Sequence, residues 1–212
     1  MGTSKLARTR DRLLEAAIDV MAREGIVGAT TREIAQVAGV SEVTLFRHFR
    51  TKEQLLSAVA QHITALQSEA LANTAEWTQD LHRDLTHYAW LYNNMLEKHE
   101  ALVRMFIGEA QRHPEEALQV FQQAALPLRQ KLAAYLQNHV ERGSVRADVN
   151  LSATIDVFTG MLLAGMLRRR ISPTCLGYSK EEYVVHCIRL FVSGIATPQY
   201  TPLPSVELPP QL

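Results

Sequence analysis

An all-α fold follows from three features of the 212-residue sequence. Apolar residues recur at three- and four-residue spacing along most of the chain, and no stretch alternates apolar and polar at the two-residue period of a strand. Ser or Thr followed three residues later by Glu or Gln, the signature of a capped helix start, recurs ahead of apolar runs. The layout is two-part: a three-helix N-terminal domain spanning residues 1–52 and a larger helical domain spanning 53–196. Residues 197–212, TPQYTPLPSVELPPQL, hold five of the eight prolines and form an extended tail with polyproline character.

Taken in order, residues 1–8 lack periodicity and are expected to be a flexible basic arm. The first helix places Leu13, Leu14, Ala17, Ile18 and Met21 on one face and stops at Gly25. Thr30 with Glu33 predicts a capping box and a helix from about Thr31, with Ile34, Ala35, Val37 and Ala38 giving it a buried side. Gly39 suits the left-handed residue of a tight turn, after which Ser41 caps the next helix. That helix has Leu45 and Phe49 four apart on its inner face and leaves Glu42, Val43, Thr44, Arg47 and His48 outward. Thr51 and Gln54 cap a further helix from Lys52 to about Leu71, carrying Leu55, Leu56, Val59, Ile63 and Leu66.

Two short helices joined by a glycine turn make a helix-turn-helix, whose second helix can lie in the DNA major groove. The outward residues suit that role: Thr44, Arg47 and His48 can donate to phosphates or bases, Val43 can touch a thymine methyl, and Glu42 can accept from a cytosine amino group. Lys5, Arg8, Arg10 and Arg12 either reach phosphates or merely keep the terminus solvated. Net charge is zero, yet residues 1–52 hold nine Lys/Arg against six Asp/Glu, so a basic head sits on an acidic body.

Residues 9–60 resemble the DNA-binding domain of the TetR family of bacterial transcriptional regulators, through RLLEAAIDVMAREG and TTREIAQVAGVSEVTLFRHFRTKEQLL. The resemblance implies that Thr31 meets backbone phosphates, Arg32 reaches a base, Ser41 to Thr44 face the groove, and His48 and Lys52 hold phosphates. One position departs, since Phe46 stands where the family commonly has tyrosine, and its ring offers no hydroxyl to a phosphate.

Beyond the head, a helix is expected over Trp77 to Lys98, then a shorter one through Leu102, Met105 and Phe106, a break at His113-Pro114, and a long helix to Gly143 irregular near Pro127. Asp148 or Asn150 caps the next, which runs through Ile155, Phe158, Leu162 and Met166 to Arg168, Arg169 and Arg170. There the cations complement the helix dipole. Ser179 and Glu182 predict a capping box for the last helix, with Tyr183, Val184, Cys187, Ile188 and Phe191 on its apolar side.

No apolar run is expected to reach membrane-span length, the longest lying around Val157 to Leu167, so no membrane partner is anticipated. Two cysteines and no apolar leader point to a reduced, cytoplasmic setting. None of the eight histidines pairs at i and i+4, with His82 and His87 five apart, and there is no paired-cysteine pattern. No phosphate-cradling glycine loop or nucleophile elbow is present either, so neither metal, cofactor nor catalysis is expected.

For the body, the resemblance implies an effector pocket for an apolar or aromatic small molecule, with Tyr88, Tyr92, Met95, Met105, Phe106, Phe121, Tyr135 and Phe158 as the large side chains to line it. Homodimerisation is expected through the last two helices, with Phe158, Met161, Gly165, Val184, Ile188 and Phe191 at the interface. The reading is therefore a dimeric repressor on double-stranded operator DNA, released by a small effector. Its rivals are a helical ligand- or protein-binding module without operator recognition and an enzyme on a helical bundle; the second lacks a polar catalytic set.

Overall fold

The computed structural model describes residues 2–65, 78–112, 114–171 and 177–200. Among them, ten α-helices are found: α1 Gly2–Gly28, α2 Thr31–Val37, α3 Glu42–His48, α4 Lys52–Ile63, α5 Leu81–Lys98, α6 Glu100–Glu109, α7 Pro114–Val120, α8 Leu126–Glu141, α9 Leu151–Ile171 and α10 Lys180–Ile195. The described β structure is limited to an isolated bridge between Val145 and Ala196. The all-α expectation holds because the apolar period is helical throughout.

Local signals set most helix ends. Thr30, Ser41 and Thr51 each accept from the backbone N–H three residues on, at 3.1, 3.2 and 3.2 Å. The capping box at Ser179 is complete, with Glu182 reaching back to the Ser179 N–H at 2.7 Å. The one expected at Thr30 is only half made, because the Glu33 carboxylate accepts instead from Arg23 at 2.8 Å. Asn150 caps α9 through the Ala153 N–H at 3.1 Å. A π-helical turn, Phe121–Ala125, precedes α8. Pro127 has no N–H and its ring crowds the carbonyl four residues back, which widens the preceding turn and accounts for the irregularity expected there.

Four expectations are corrected. Residues 2–8 continue α1, so the basic arm is helical. Gly25, at φ 78° and ψ 171°, breaks that helix as expected, but one further turn follows it to Gly28. Val37 lies on the outer side of α2 and is 47% exposed. Finally, Leu151–Arg169 is, by length and composition, long and apolar enough to cross a membrane, with mean hydropathy 1.3. Ser152, Thr154, Asp156 and Thr159 interrupt its apolar run without lowering the average enough to exclude it, and its inner face nevertheless packs in the core described below. Trp77, Leu66 to Leu71, His113 and the tail beyond Tyr200 lie outside the described residues.

Packing divides the chain elsewhere than the expected functional boundary at residue 52. One compact unit runs through Ala65 and takes in Lys98–Pro127. Its core joins Leu13, Leu14, Ala17 and Met21 of α1 to Ile34, Leu45, Phe49, Leu55 and Val59, and Leu102, Met105, Phe106 and Val120 pack on it. The second unit holds the described residues within 66–97 and 128–212. There α5, α8, α9 and α10 share a core of Leu81, Leu85, Tyr88, Leu132, Leu136, Phe158, Leu162, Val184, Ile188 and Phe191.

Candidate nucleic-acid interface

The outward face of α3 is built from its ends inward. Ser41 caps the helix, and its Oγ lies 2.9 Å from Thr44 Oγ1. Leu45 and Phe49, 0% and 3% exposed, anchor the inner face. Gly39 makes the turn at φ +64°, a conformation that strains any residue with a Cβ. The Arg12 guanidinium donates to the carbonyls of Ala38 and Gly39, so α1 clamps the turn. Thr31 donates to the Glu42 carboxylate at 2.5 Å and ties α2 to α3. Two helices of seven residues are too short to hold their geometry alone, and these bonds with the shared core supply what length does not.

The residues expected to meet DNA separate into two groups. Ser41, Val43, Arg47 and Arg32 are exposed, Val43 by 72%, and no side-chain partner within the chain restrains Arg32 or Arg47 among the bonds described. Thr31, Glu42, Thr44, His48 and Lys52 are half-buried. Four of these already have internal bonds: Thr31 to Glu42, Thr44 to the Ser41 hydroxyl at 2.9 Å, and Lys52 to the Val27 carbonyl at 3.0 Å. Phe46 is 43% exposed and puts an apolar ring beside Val43. Arg12 and Arg10 are both engaged within the chain, Arg12 holding the turn and Arg10 lying 5.4 Å over the Phe49 ring. Sequence reasoning missed the Arg12 clamp because its partners are backbone carbonyls 26 and 27 residues away, which carry no side-chain signature.

The residues expected to line a pocket are split between the units. Tyr88, Tyr92, Tyr135 and Phe158 belong to the second, where Tyr88 lies 6.0 Å from Tyr92 and 6.3 Å from Phe158, ring to ring. Burial pushes the Tyr92 phenol up to about 12 and the Tyr88 phenol higher still. Tyr135 donates to Asp84 at 3.0 Å, and that buried carboxylate also accepts from the Thr78 N–H and hydroxyl. Met95, on the same helix as the two tyrosines, is half-buried. Met105 and Phe106 instead pack on the first unit's core, and Phe121, also in that unit, is 40% exposed.

The expected dimer residues are mostly interior. Phe158, Val184, Ile188 and Phe191 are no more than 4% exposed within a single chain, so they have little surface left to give a partner. Gly165 is filled from inside: a Cβ there would meet the Tyr183 ring at 2.1 Å. On α9 and α10 apolar periodicity selected the face that packs inward. The outward face carries Val157 and Leu190, 59% and 68% exposed, with Gly160 open. Beside them an open groove of about 420 Å³ is lined by Ala153, Val157, Met161, Leu190 and Gly194, with Arg146 and Asp148 at its polar side.

Among the described residues no three or more His, Cys, Asp or Glu side chains converge as a metal site would require.

Residues 13–59 match the family model for bacterial regulatory proteins of the tetR family, and residues 75–174 match the tetracyclin repressor-like C-terminal domain. The uncharacterized HTH-type transcriptional regulator YvkB of Bacillus subtilis is 26% identical over 89% of this chain and 97% of its own. The HTH-type transcriptional repressor NicS of Pseudomonas putida is 34% identical over 40% of this chain and 42% of its own. In fold, a TetR family transcription regulator from Marinobacter aquaeolei superposes with a TM-score of 0.67 at 18% identity, over 92% of this chain and 98% of that one. With a helix-turn-helix braced by α1, a helical ligand-binding type of C-terminal domain and matches that together span more than half its length, the chain belongs to the tetR family, as a DNA-binding transcription regulator and not an enzyme.

Proposed function

We propose that the protein is a cytoplasmic repressor that binds a palindromic operator as a homodimer and leaves it when a small molecule occupies the C-terminal domain. The functional division is residues 1–52 for DNA and 53–196 for effector and dimer contacts. The observation that carries this reading is the outward face of α3, where exposed Ser41, Val43 and Arg47 stand on a helix fixed by Leu45, the Ser41 cap and the Arg12-clamped turn. Thr44 and Arg32 flank that face, Glu42 sits at its start, and His48 and Lys52 sit at its phosphate-facing end. Lys52 would exchange or share its Val27 carbonyl bond when it takes a phosphate.

One recognition helix reads too few base pairs for specific binding, whereas a two-fold pair spaced about one DNA turn, roughly 34–36 Å, reads two half-sites. The partner surface proposed is the outer face of α9 and α10 with Val157, Met161 and Leu190, in place of the interior residues of the same helices. The effector site proposed lies in the second unit around Tyr88, Tyr92, Met95, Tyr135 and Phe158. To move the protein from about 1% to 99% in the non-binding state, an effector must prefer that state by around 5.5 kcal/mol. Operator must then weaken effector binding by the same factor.

A gel-shift titration across salt concentrations tests the DNA reading. Wild type is expected to retard its own upstream DNA with a steep salt dependence; Arg47→Ala and Lys52→Ala each lower the slope by about one, and Thr44→Ala weakens binding without unfolding. Absence of any sequence-preferring retardation would leave a helical binding module without operator recognition.

A further inference from the structure

The second unit contains buried hydrogen-bond donors that the chain itself does not satisfy, and they lie together. Trp90 and Asn93 are three apart on α5 and so share a face. Arg169, near the end of α9, donates through one Nη to Asn93 Oδ1 at 2.9 Å and to Glu97 Oε1 at 3.1 Å. Lys180, opening α10, donates to the other Glu97 oxygen at 2.7 Å and to Asn94 at 3.3 Å, and lies 5.7 Å from the Trp90 ring centroid. The Arg169 guanidinium lies 5.6 Å over the Tyr183 ring.

Within this cluster the indole Nε1 of Trp90, the amide Nδ2 of Asn93 and the second Nη of Arg169 are buried without an acceptor. Asn93 is fully buried and the Arg169 side chain only 14% exposed. The amide orientation follows from the chemistry: a guanidinium can only donate, so Asn93 must turn its oxygen to Arg169, which directs its NH₂ elsewhere. That NH₂ is near enough to Glu97 to help hold the carboxyl low, yet makes no hydrogen bond to it. Burial alone would raise Glu97; the Lys180 and Arg169 bonds outweigh it and keep the carboxylate charged.

Among the described residues the cluster therefore has two cations against one carboxylate and three idle N–H groups with no idle acceptor. Buried polar groups are ordinarily paired, and a group of like-signed exceptions calls for a complementary ligand. A monoanion with several lone pairs answers both the surplus charge and the donors, and a carboxylate offers two oxygens with about four acceptor positions. Tyr88 and Tyr92, stacked on the same helix, supply aromatic surface for an apolar body.

We infer that this cluster is the polar end of the effector site and that the effector is a monocarboxylate with an apolar or aromatic body, held by Trp90, Asn93 and Arg169. The inference rests on reading the second unit as effector-binding. It also reassigns one of the three arginines expected merely to complement the helix dipole.

Calorimetric titration of the full-length protein with decanoate, 3-phenylpropionate, and their matched alcohols and primary amines tests it, with Trp90→Phe and Arg169→Gln as variants. The expected result is that at least one carboxylate binds roughly ten-fold or more tightly than its alcohol, with the amine weakest, and that each variant erases most of that preference while leaving alcohol binding little changed. Trp90→Phe keeps an aromatic ring and removes only the N–H, so it stays informative if the arginine variant fails to fold. Equal binding of acid and alcohol, no binding of either carboxylate, or a crystal structure of the soaked protein with only ordered water on these donors would overturn it. Operator release is scored separately. An alcohol that binds and releases DNA where no carboxylate binds overturns the carboxylate site and keeps the effector domain. A carboxylate that binds with the stated preference but leaves DNA affinity unchanged supports the site and removes the coupling.

Discussion

The two compact units differ in where most of their polar ties are made. In the first, polar groups work near the surface as ties between short helices: Thr31 to Glu42, Arg23 to Glu33, Arg12 to the turn, Lys52 to Val27. In the second, Asp84, Asn93 and His139 are 4%, 0% and 2% exposed and sit inside the helical packing, some of their neighbours still lacking partners. A surface tie contributes modestly and can be exchanged for a phosphate, whereas a buried polar group is costly unless satisfied and so makes a region sensitive to what binds there.

The largest expected effects test whether each core is the main support of its own unit. Phe158→Ala removes a fully buried ring stacked 4.2 Å from Phe191 and should cost about 3–5 kcal/mol, and Leu45→Ala about 2–5 kcal/mol. Denaturant titration followed by hydrogen exchange should place the first loss of protection in the second unit and the second in the helix-turn-helix. If Leu45→Ala loosened both equally, the units would not be energetically distinct.

Next comes the buried carboxylate. Asp84→Ala leaves the Thr78 N–H and hydroxyl and the Tyr135 hydroxyl without their common acceptor, at a cost of about 1–3 kcal/mol or more. A Thr78→Val, Asp84→Ala double variant that lost no less than the sum of the singles would show the three groups are not coupled.

A pH series sharpens the comparison, because among the described residues each unit holds one buried histidine held below its ordinary value of 6.5. For His139 burial is the main cause, Asp84 opposes it and Arg142 adds to it; for His99 burial leads and Lys98 adds to it. A histidine with a lowered folded pKa binds protons more readily when unfolded. Its contribution is therefore complete above about 6.5 and is lost as pH falls through that value toward the folded one. Thermal melts between pH 8 and 5 should show this decline, and His139→Gln should flatten the second unit's share alone. An unchanged slope in that variant would assign the acid sensitivity elsewhere.

The smallest effects belong to the surface ties. Thr30→Ala removes the α2 cap and should cost about 1 kcal/mol, while Arg23→Ala, whose side chain is 56% exposed, should cost roughly 0.2–1 kcal/mol. Chemical denaturation of the two variants orders them, and a larger loss in Arg23→Ala would mean that its ion pair to Glu33 does more than the cap.

Much of the molecule was legible in the chain because it is governed by near neighbours. Caps at Thr30, Ser41, Thr51, Asn150 and Ser179, the left-handed turn at Gly39 and the helical period depend on residues within four positions, and each is found where the spacing puts it. Periodicity also identified α9 and α10 as strongly apolar helices. It could not say which of two apolar faces turns inward, and so Phe158, Val184, Ile188 and Phe191 were expected at a dimer surface when they form the core. The tertiary structure alone decided that Arg12 would grip a turn 26 residues away, that Met105 and Phe106 would pack in a different unit from Tyr88, that Arg169 would meet Asn93, and that Lys180 would lie over Trp90. Those outcomes depend on pairs of elements distant in sequence, and a periodic pattern records that a side chain is to be buried without recording against what.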